Sequence, residues 1–575
     1  MILLLLLVSY VESSFFEIEE NKDLEVILAD IEKLRYAPLD INTASFEELA
    51  MIPYFSLNTC LKIVQYREQS GSYRSLDDLL NVSGIDMFVL EKIRPFITVR
   101  TKPFKLRKFA ARARVKTVIP KQRLSEKLYT KAEFAFDAYK IFFVTEKDAY
   151  ENALFDYNAA GIMIDEGTRR FALGKYNLDL GSGIMLSPVG SFFHSVDFRM
   201  MTRERGIIPY TSVLENGGFF GAALTDTFLL NYTLFYSNQK LDGRIDSFGF
   251  AHTFDESGEH VDSASLNRKD RINEEILGFD VRYKLRNIIV SNRTYLCSYI
   301  PKFVCDDSST EFYGDRFWIS GIGLKYFEDY YVMFSEFARS YKNRIGGLFG
   351  FTGSFSSIDI NLAGEYFPVG FYSPKGIEAR EDHIGGVVTI DKQSKIIDFG
   401  TTLEMANSTE KDTAEYDLKL NFEKEIGIVV AKFQSGWRFT AQATDRSGSR
   451  IFLRITPVKR IFLDIRLEEK YVYGSSDLEK GLLGAFEIGA EFDRLRFRIR
   501  YGLFETDSYA SRIYVYEIDL PGIVNNRMLY NKGDYGFIYM LFKPIEVFNI
   551  ATKYSFVKRD TVLVKQLSCQ LDFRL

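Results

Sequence analysis

From about Phe104 to the C-terminus, apolar and polar positions alternate with a period of two. Phe279, Val281, Tyr283 and Leu285 alternate with Asp280, Arg282, Lys284 and Arg286, and Leu495, Phe497, Ile499, Tyr501 and Leu503 alternate with Arg494, Arg496, Arg498, Arg500 and Gly502. Such a pattern predicts strands with one apolar and one polar face. A soluble sandwich would share it. The series, however, runs through residues 104–575 with no helical interruption, and its polar faces carry ladders of charge, as a watery lumen permits. The fold class expected is therefore mainly β: a large transmembrane antiparallel β-barrel of about 16–20 strands, at roughly 9–11 residues per membrane strand plus connections. Leu567, Cys569, Leu571, Phe573 and Leu575 form the apolar face of a strand that finishes at the C-terminus, a placement similar to the assembly signal of outer-membrane barrels.

Before residue 100 the rhythm is helical. Leu24, Ile27, Leu28, Ile31 and Leu34 share one face, and Pro38 ends that element. Residues 39–99 then contain one pattern twice. Ser45-Phe46-Glu47-Glu48-Leu49 is matched by Ser75-Leu76-Asp77-Asp78-Leu79, and Lys62-Ile63 by Lys92-Ile93. In each copy a serine able to cap a helix precedes acidic residues that suit a helix N-terminus, followed by a turn and a second apolar-periodic segment. This is a small all-α module of paired helical hairpins.

Composition sharpens this picture. The 575 residues include 51 Phe and 34 Tyr but only 2 Trp and 13 Pro. Mean hydropathy is near neutral at −0.10, which excludes a bundle of membrane helices, each needing roughly 20 apolar residues, but not a barrel whose strands average out. The net charge of −5 gives no global sign of nucleic-acid binding. Residues 1–14, with the run Ile2 to Val8, read as a signal peptide. Cys297 and Cys305 suit either a bridged loop or two separate thiols, while Cys60 falls on a core position of the module. His194, His252, His260 and His383 have no zinc or haem spacing, so no metal or cofactor is expected.

The module resembles the ComEA-type helix-hairpin-helix domain, the surface DNA receptor of natural competence. The residues that carry the resemblance are Asp40-Ile41-Asn42-Thr43-Ala44-Ser45, Ser75 to Leu80, and Ile93 to Val99. In that family each hairpin reads Pro-Gly-Ile-Gly, whose glycines leave amide groups open to phosphate. Here the first hairpin is Pro53-Tyr54-Phe55-Ser56 and the second Ser83-Gly84-Ile85-Asp86, where the carboxylate would repel phosphate. Five basic against eight acidic residues give the module a net charge of −3, poor for a contact that rests on phosphate neutralisation. Leu173 to Ile184 and Arg205 to Glu215 look like stretches of Gram-negative outer-membrane proteins that join such a head to a barrel; the family implies a location rather than an activity. Gly181-Ser182-Gly183 has no βαβ context and reads as a strand bend rather than a nucleotide loop.

After the module the charge reverses. Residues 100–131 hold twelve Lys or Arg and one acid, Glu126, and form a basic linker plus the first strand. They read either as a phosphate-binding patch at the barrel mouth or as a strand whose lumen face is basic, since Ala111, Ala113 and Val115 alternate with Arg112, Arg114 and Lys116. Candidate nucleic-acid contacts are Gly84, Ile85, Lys62, Lys92, Arg107, Lys108, Arg112 and Arg114. Arg494, Arg496, Arg498 and Arg500 form a candidate basic ladder in the lumen. No Ser, His and carboxylate set converges for catalysis, and His383 in Arg380-Glu381-Asp382-His383 reads as a solvated loop or strand end, so no enzyme is expected.

The domain plan is a signal peptide (1–14), a helical region (21–99) with the tandem hairpins at 39–99, the basic segment (100–131) and a barrel (104–575). The function expected is an outer-membrane pore or receptor with a periplasmic head, with DNA binding or uptake as one role. The alternative is a docking protein whose head binds another protein. Expected partners are outer-membrane lipid and the barrel assembly machinery, with DNA and a periplasmic protein as candidates.

Overall fold

The computed structural model describes residues 38–575 apart from short stretches, the longest being 100–107, 188–203, 305–311, 377–381 and 409–413. The signal peptide and first helix expected before residue 35 lie outside the described residues, as do Arg107, Cys305 and most of the first hairpin turn.

The period-two region forms one closed antiparallel barrel of 24 strands among the described residues. This exceeds the expected 16–20. The reason is economy in the connections: at one end, strands are joined by two-residue turns such as Arg286-Asn287, Ser356-Ser357, Gly427-Ile428 and Lys459-Arg460. Arg286, Ser356, Gly427 and Arg460 have positive φ, as the tightest hairpins require. Closure comes from the first strand, Lys108–Ile119, pairing antiparallel with the last, Val562–Arg574, in a register that sets Ala111 against Phe573. The chain therefore enters and leaves the barrel at the end with the short turns. Most of the longer connections, among them 180–218, 242–271 and 507–531, lie at the opposite end.

The alternation sorts the side chains as expected. Leu277, Phe279, Trp318, Ile322 and Leu503 are exposed on the outer wall, while Glu274, Asp280, Arg293 and Glu336 are buried inside. The register places opposite charges directly across from each other on neighbouring strands. Asp417 faces Arg438, Arg450 faces Glu468, and Arg454 faces Asp464. Their ion pairs measure 2.8, 2.8 and 2.5 Å. Cross-strand pairing of this kind lets the inner face be charged yet packed.

The head is compact. A short parallel pairing of Leu39–Asp40 with Ile97–Thr98 joins its two ends. Between them lie a helix, Leu57–Ser70, a six-residue 3-10 turn, Leu76–Asn81, where a full helix is predicted, and a helix, Met87–Ile93. Ile41, Leu49, Ile52, Cys60, Ile63, Leu79, Leu90 and Ile93 form its buried core. Asn42 and Tyr73 exchange two hydrogen bonds of 2.7 and 2.9 Å. Arg67 ties the start of the head to the first helix by donating to the carbonyls of Ile41 and Ala44.

Candidate functional site

One connection does not stay outside the barrel. After the strand Leu495–Thr506 the chain turns inward and forms a hairpin, Ile513–Glu517 paired with Asn525–Leu529, before rejoining the wall at Lys532. The two strands of this hairpin pair only with each other and form a separate sheet inside the barrel. Ile513, Val515 and Leu529 pack on the inner wall against Leu483, Phe504, Tyr535 and Val557. The tip residues Ile518 and Leu520 pack against Phe537, Tyr539 and Leu541, farther toward the short-turn end. The hairpin thus runs down the lumen from one mouth toward the other.

Wall cations hold it there. Arg466 donates to the Tyr514 carbonyl at 3.0 Å, Lys470 to that of Arg512 at 3.1 Å, and Arg114 to that of Pro521 at 3.0 Å. Lys553 on the wall lies 3.0 Å from Glu517 and 3.2 Å from Asp519, and Arg527 of the hairpin lies 2.6 Å from Glu517. Two buried carboxylates thus meet a buried ammonium and a half-buried guanidinium, the arrangement that makes burial of charge tolerable.

The hairpin also reaches the head. Tyr516 is buried in the head's own apolar core together with Phe327 and Val332 of the wall, and Val524 and Ile289 pack beside it. The head therefore sits at the short-turn mouth, in contact with the wall and with the lumen hairpin.

This placement decides the fate of the candidate nucleic-acid contacts. Gly84 has φ +104 and forms the second turn, and Ile85 is buried in the core. Asp86 caps the following helix, its carboxylate accepting the Val89 N–H at 2.8 Å. The amide that would face a phosphate is taken by the protein's own carboxylate. Lys62 is half-buried on the first helix. Lys92 is half-buried too; burial lowers its ammonium pKa, while the barrel carboxylates Glu425 and Glu423 oppose the shift. Arg112 pairs with Asp572 at 2.6 Å. Arg114 binds Gln570 and Pro521 and lies over the Tyr129 ring. Both arginines point into the lumen. Lys108 begins the first strand.

The expected lumen ladder is real at three positions and absent at the fourth. Arg498 pairs with Glu487 and Glu491, and Arg500 with Glu487 and the Tyr516 carbonyl. Arg496 precedes them on the same strand, directly across from Glu491. Arg494 precedes the strand and is exposed in the turn, because pairing with Phe542 begins only at Leu495. The ladder is also not an open basic surface, since the neighbouring strand supplies Glu487 and Glu491.

Cys297 is a buried thiol, and its candidate bridge partner Cys305 lies outside the described residues. His383 is buried at the start of a strand, 2.7 Å from Glu365, rather than solvated. Gly181 has φ +79, and a Cβ there would lie 2.0 Å from Arg293 Nη1. It lets an inward-turned segment cross the buried Arg293, so the Gly-Ser-Gly stretch serves packing.

Sequence spacing missed one cluster at the long-loop end. His260 Nε2 lies 3.0 Å from Asp242, its Nδ1 contacts Asp156, and Glu151 and Glu215 stand 3.9 and 3.8 Å from Nδ1. Lys269 meets Asp156 at 2.6 Å. Glu151, Asp156 and His260, and likewise Glu215, Asp242 and His260, bring ligand atoms within 4.8 Å of one another, a spacing a cation could use, although the imidazole and Lys269 already engage Asp156 and Asp242. Burial, reinforced by Asp242, Asp156 and Glu151 and opposed by Lys269, pushes the Glu215 carboxyl up to about 9. These groups come from separate loops, and only loop packing unites them.

Comparison with known proteins agrees with the head. Residues 36–98 match a family model described as a helix-hairpin-helix motif. ComE operon protein 1 of Bacillus subtilis (strain 168) is 39% identical over 64 residues, which are 11% of this chain and 31% of that protein. Endonuclease/exonuclease/phosphatase family domain-containing protein 1 of Homo sapiens is 39% identical over 64 residues, 11% of each chain. The chain thus spans less than a third of the length of these curated relatives. Among solved structures, the siderophore receptor PirA from Acinetobacter baumannii superposes with a TM-score of 0.39 at 7% identity, over 83% of this chain and 82% of that one. The P pilus usher (PapC) translocation pore gives 0.36 at 6% identity, over 82% and 99%. The barrel assignment rests on this chain's own strand pairing. The protein is a closed 24-stranded antiparallel β-barrel carrying an N-terminal helix-hairpin-helix domain.

Proposed function

We propose that this protein is an outer-membrane conduit or receptor and that its helix-hairpin-helix head acts as a docked stopper at the periplasmic mouth rather than as a grip for DNA. An apolar outer wall and a charged, paired inner face support membrane insertion of the barrel. The short turns and both barrel termini share one end, which in outer-membrane barrels is the periplasmic one. Among the described residues no helix is long and apolar enough to cross a membrane, so the strands carry the crossing in this reading. The observation that carries the docking role is the shared core: Phe327 and Val332 of the wall and Tyr516 of the lumen hairpin are buried with the head's own apolar residues. A nucleic-acid grip would need an open amide nest and free cations, and Asp86 and the Glu423–Glu425 edge oppose both. No catalytic step is assigned.

Fractionation should place the full chain in the outer membrane, with heat-modifiable migration on gels. Fluorescence anisotropy with duplex DNA across a salt series, using the full chain in nanodiscs, should give weak binding. Tight, salt-dependent binding lost on Gly84→Val would overturn the docking role and return DNA uptake as the leading function.

A further inference from the structure

The hairpin inside the barrel is built to move as a unit. Its two strands pair with each other and with no barrel strand. It can leave the lumen without breaking a single rung of the wall. Its polar ties to the wall include side-chain hydrogen bonds from Arg114, Arg466, Lys470 and Arg500 to hairpin carbonyls, bonds that water can replace at modest net cost. The exception is ionic. Glu517 is fully buried, and the one wall cation paired with both it and Asp519 in the described contacts is Lys553, itself 2% exposed. Two hairpin carboxylates therefore converge on a single ammonium of the wall.

We infer that the Ile513–Leu529 hairpin is a gate, latched in the lumen by the Lys553 bridge to Glu517 and Asp519, with its far end covered by the docked head. The inference rests on the conduit reading above. The head contact gives the gate a doorstop. With Tyr516 and Val524 packed into the head's cluster, the hairpin cannot shift while the head is seated, and displacing the head would free the side of the hairpin it covers. In the latched state Lys553 and Arg527 pair with the hairpin carboxylates; without Lys553, Glu517 keeps Arg527, while Asp519 keeps the neutral donors Asn525 and the Leu520 N–H and the longer-range field of Lys116, and a buried carboxylate that has lost its ion pair favours the solvated, displaced position.

The test uses the full chain reconstituted into liposomes of phosphatidylethanolamine and phosphatidylglycerol, with swelling in a small neutral oligosaccharide as the readout. The unaltered protein should be nearly impermeable, Lys553→Arg should match it, and Lys553→Glu should raise flux by about tenfold or more, because losing one partner of a buried pair shifts a two-state equilibrium at least that far. Asp519→Asn, which leaves Lys553 a single hairpin partner, should give a smaller rise and serves as the test if Lys553→Glu fails to yield a heat-modifiable barrel. A high flux in the unaltered protein would overturn the gate. An assembled Lys553→Glu barrel no more permeable than the parent would overturn the latch, provided a variant with residues 508–530 replaced by a short Gly/Ser linker does leak. If that linker variant assembles and stays impermeable, the conduit reading itself falls.

Discussion

Arg112 and Asp572 close the barrel chemically as well as topologically. They are direct cross-strand partners on the first and last strands, and the guanidinium meets the carboxylate through Nε at 2.6 Å and Nη2 at 3.3 Å. Asp572 is buried, and Gln570 is its other hydrogen-bond donor. Arg112→Ala should therefore destabilise the seam by up to about 3–5 kcal/mol, the range for stripping one partner from a buried pair. The check is the temperature at which the full chain loses heat-modifiable migration, with Arg112→Lys expected to lie between the two. Unchanged stability coupled to lost DNA binding would instead make Arg112 a nucleic-acid contact.

Phe573 stands beside this seam on the outer face. Its ring centroid lies 5.9 Å from that of Phe109, which exchanges backbone hydrogen bonds with Leu575. Phe573→Asp should lower the yield of assembled barrel, since a lipid-facing charge costs up to ~2–4 kcal/mol at the bilayer midplane and less for carboxylates and near the interface. Pulse-labelled membrane insertion measures this; normal insertion would mean that the last strand is dispensable for assembly.

Gly84 sits at φ +104, where a Cβ would lie 3.3 Å from Thr59 Oγ1. Gly84→Ala should destabilise the head by about 1–2 kcal/mol through backbone strain alone. Hydrogen exchange at the Leu90 amide, bonded to the Asp86 carbonyl, should accelerate accordingly. DNA affinity should not change, because Asp86 already occupies the neighbouring amide.

Glu215 makes the long-loop end sensitive to alkali. Its folded pKa of about 9 lies above the ordinary 4.5, so the folded state holds the proton where the unfolded state has lost it. The stability this group permits is complete below the ordinary value and declines as pH rises through the folded one. Proteolytic nicking of the His260 loop should increase between pH 5 and pH 9, and Glu215→Gln should flatten that dependence. A pH-independent loop in the unaltered protein would contradict the assignment.

Much of the fold can be read residue by residue because strand faces are a local property. Alternation around Phe279 or Leu495 states which side chains share a face before any partner is known, and it puts Arg112 and Arg114 on one face while leaving open whether that face lines the lumen or binds phosphate at the mouth. The departures at Ser83 and Asp86 are also local, and Asp86 as a helix cap follows from its position before Met87. The lumen hairpin escaped this reading. Ile513-Tyr514-Val515-Tyr516 is a β-branched and aromatic run that would suit a wall strand, and nothing in it names the sheet it joins.

Sequence alone determined the period, the faces and the two-part plan, since these depend on neighbours two to four positions away and on the backbone geometry they impose. Tertiary structure alone decided the partners. Asp572 reaches Arg112 across 460 residues, Asp156 reaches His260 across 104, and Tyr516 enters the core of a head that ends before residue 100. Such contacts are set by strand register, barrel closure and inward loop packing. Those depend on the free energy of the whole chain at once, so a buried ion pair and a solvated cation look alike until the chain is closed.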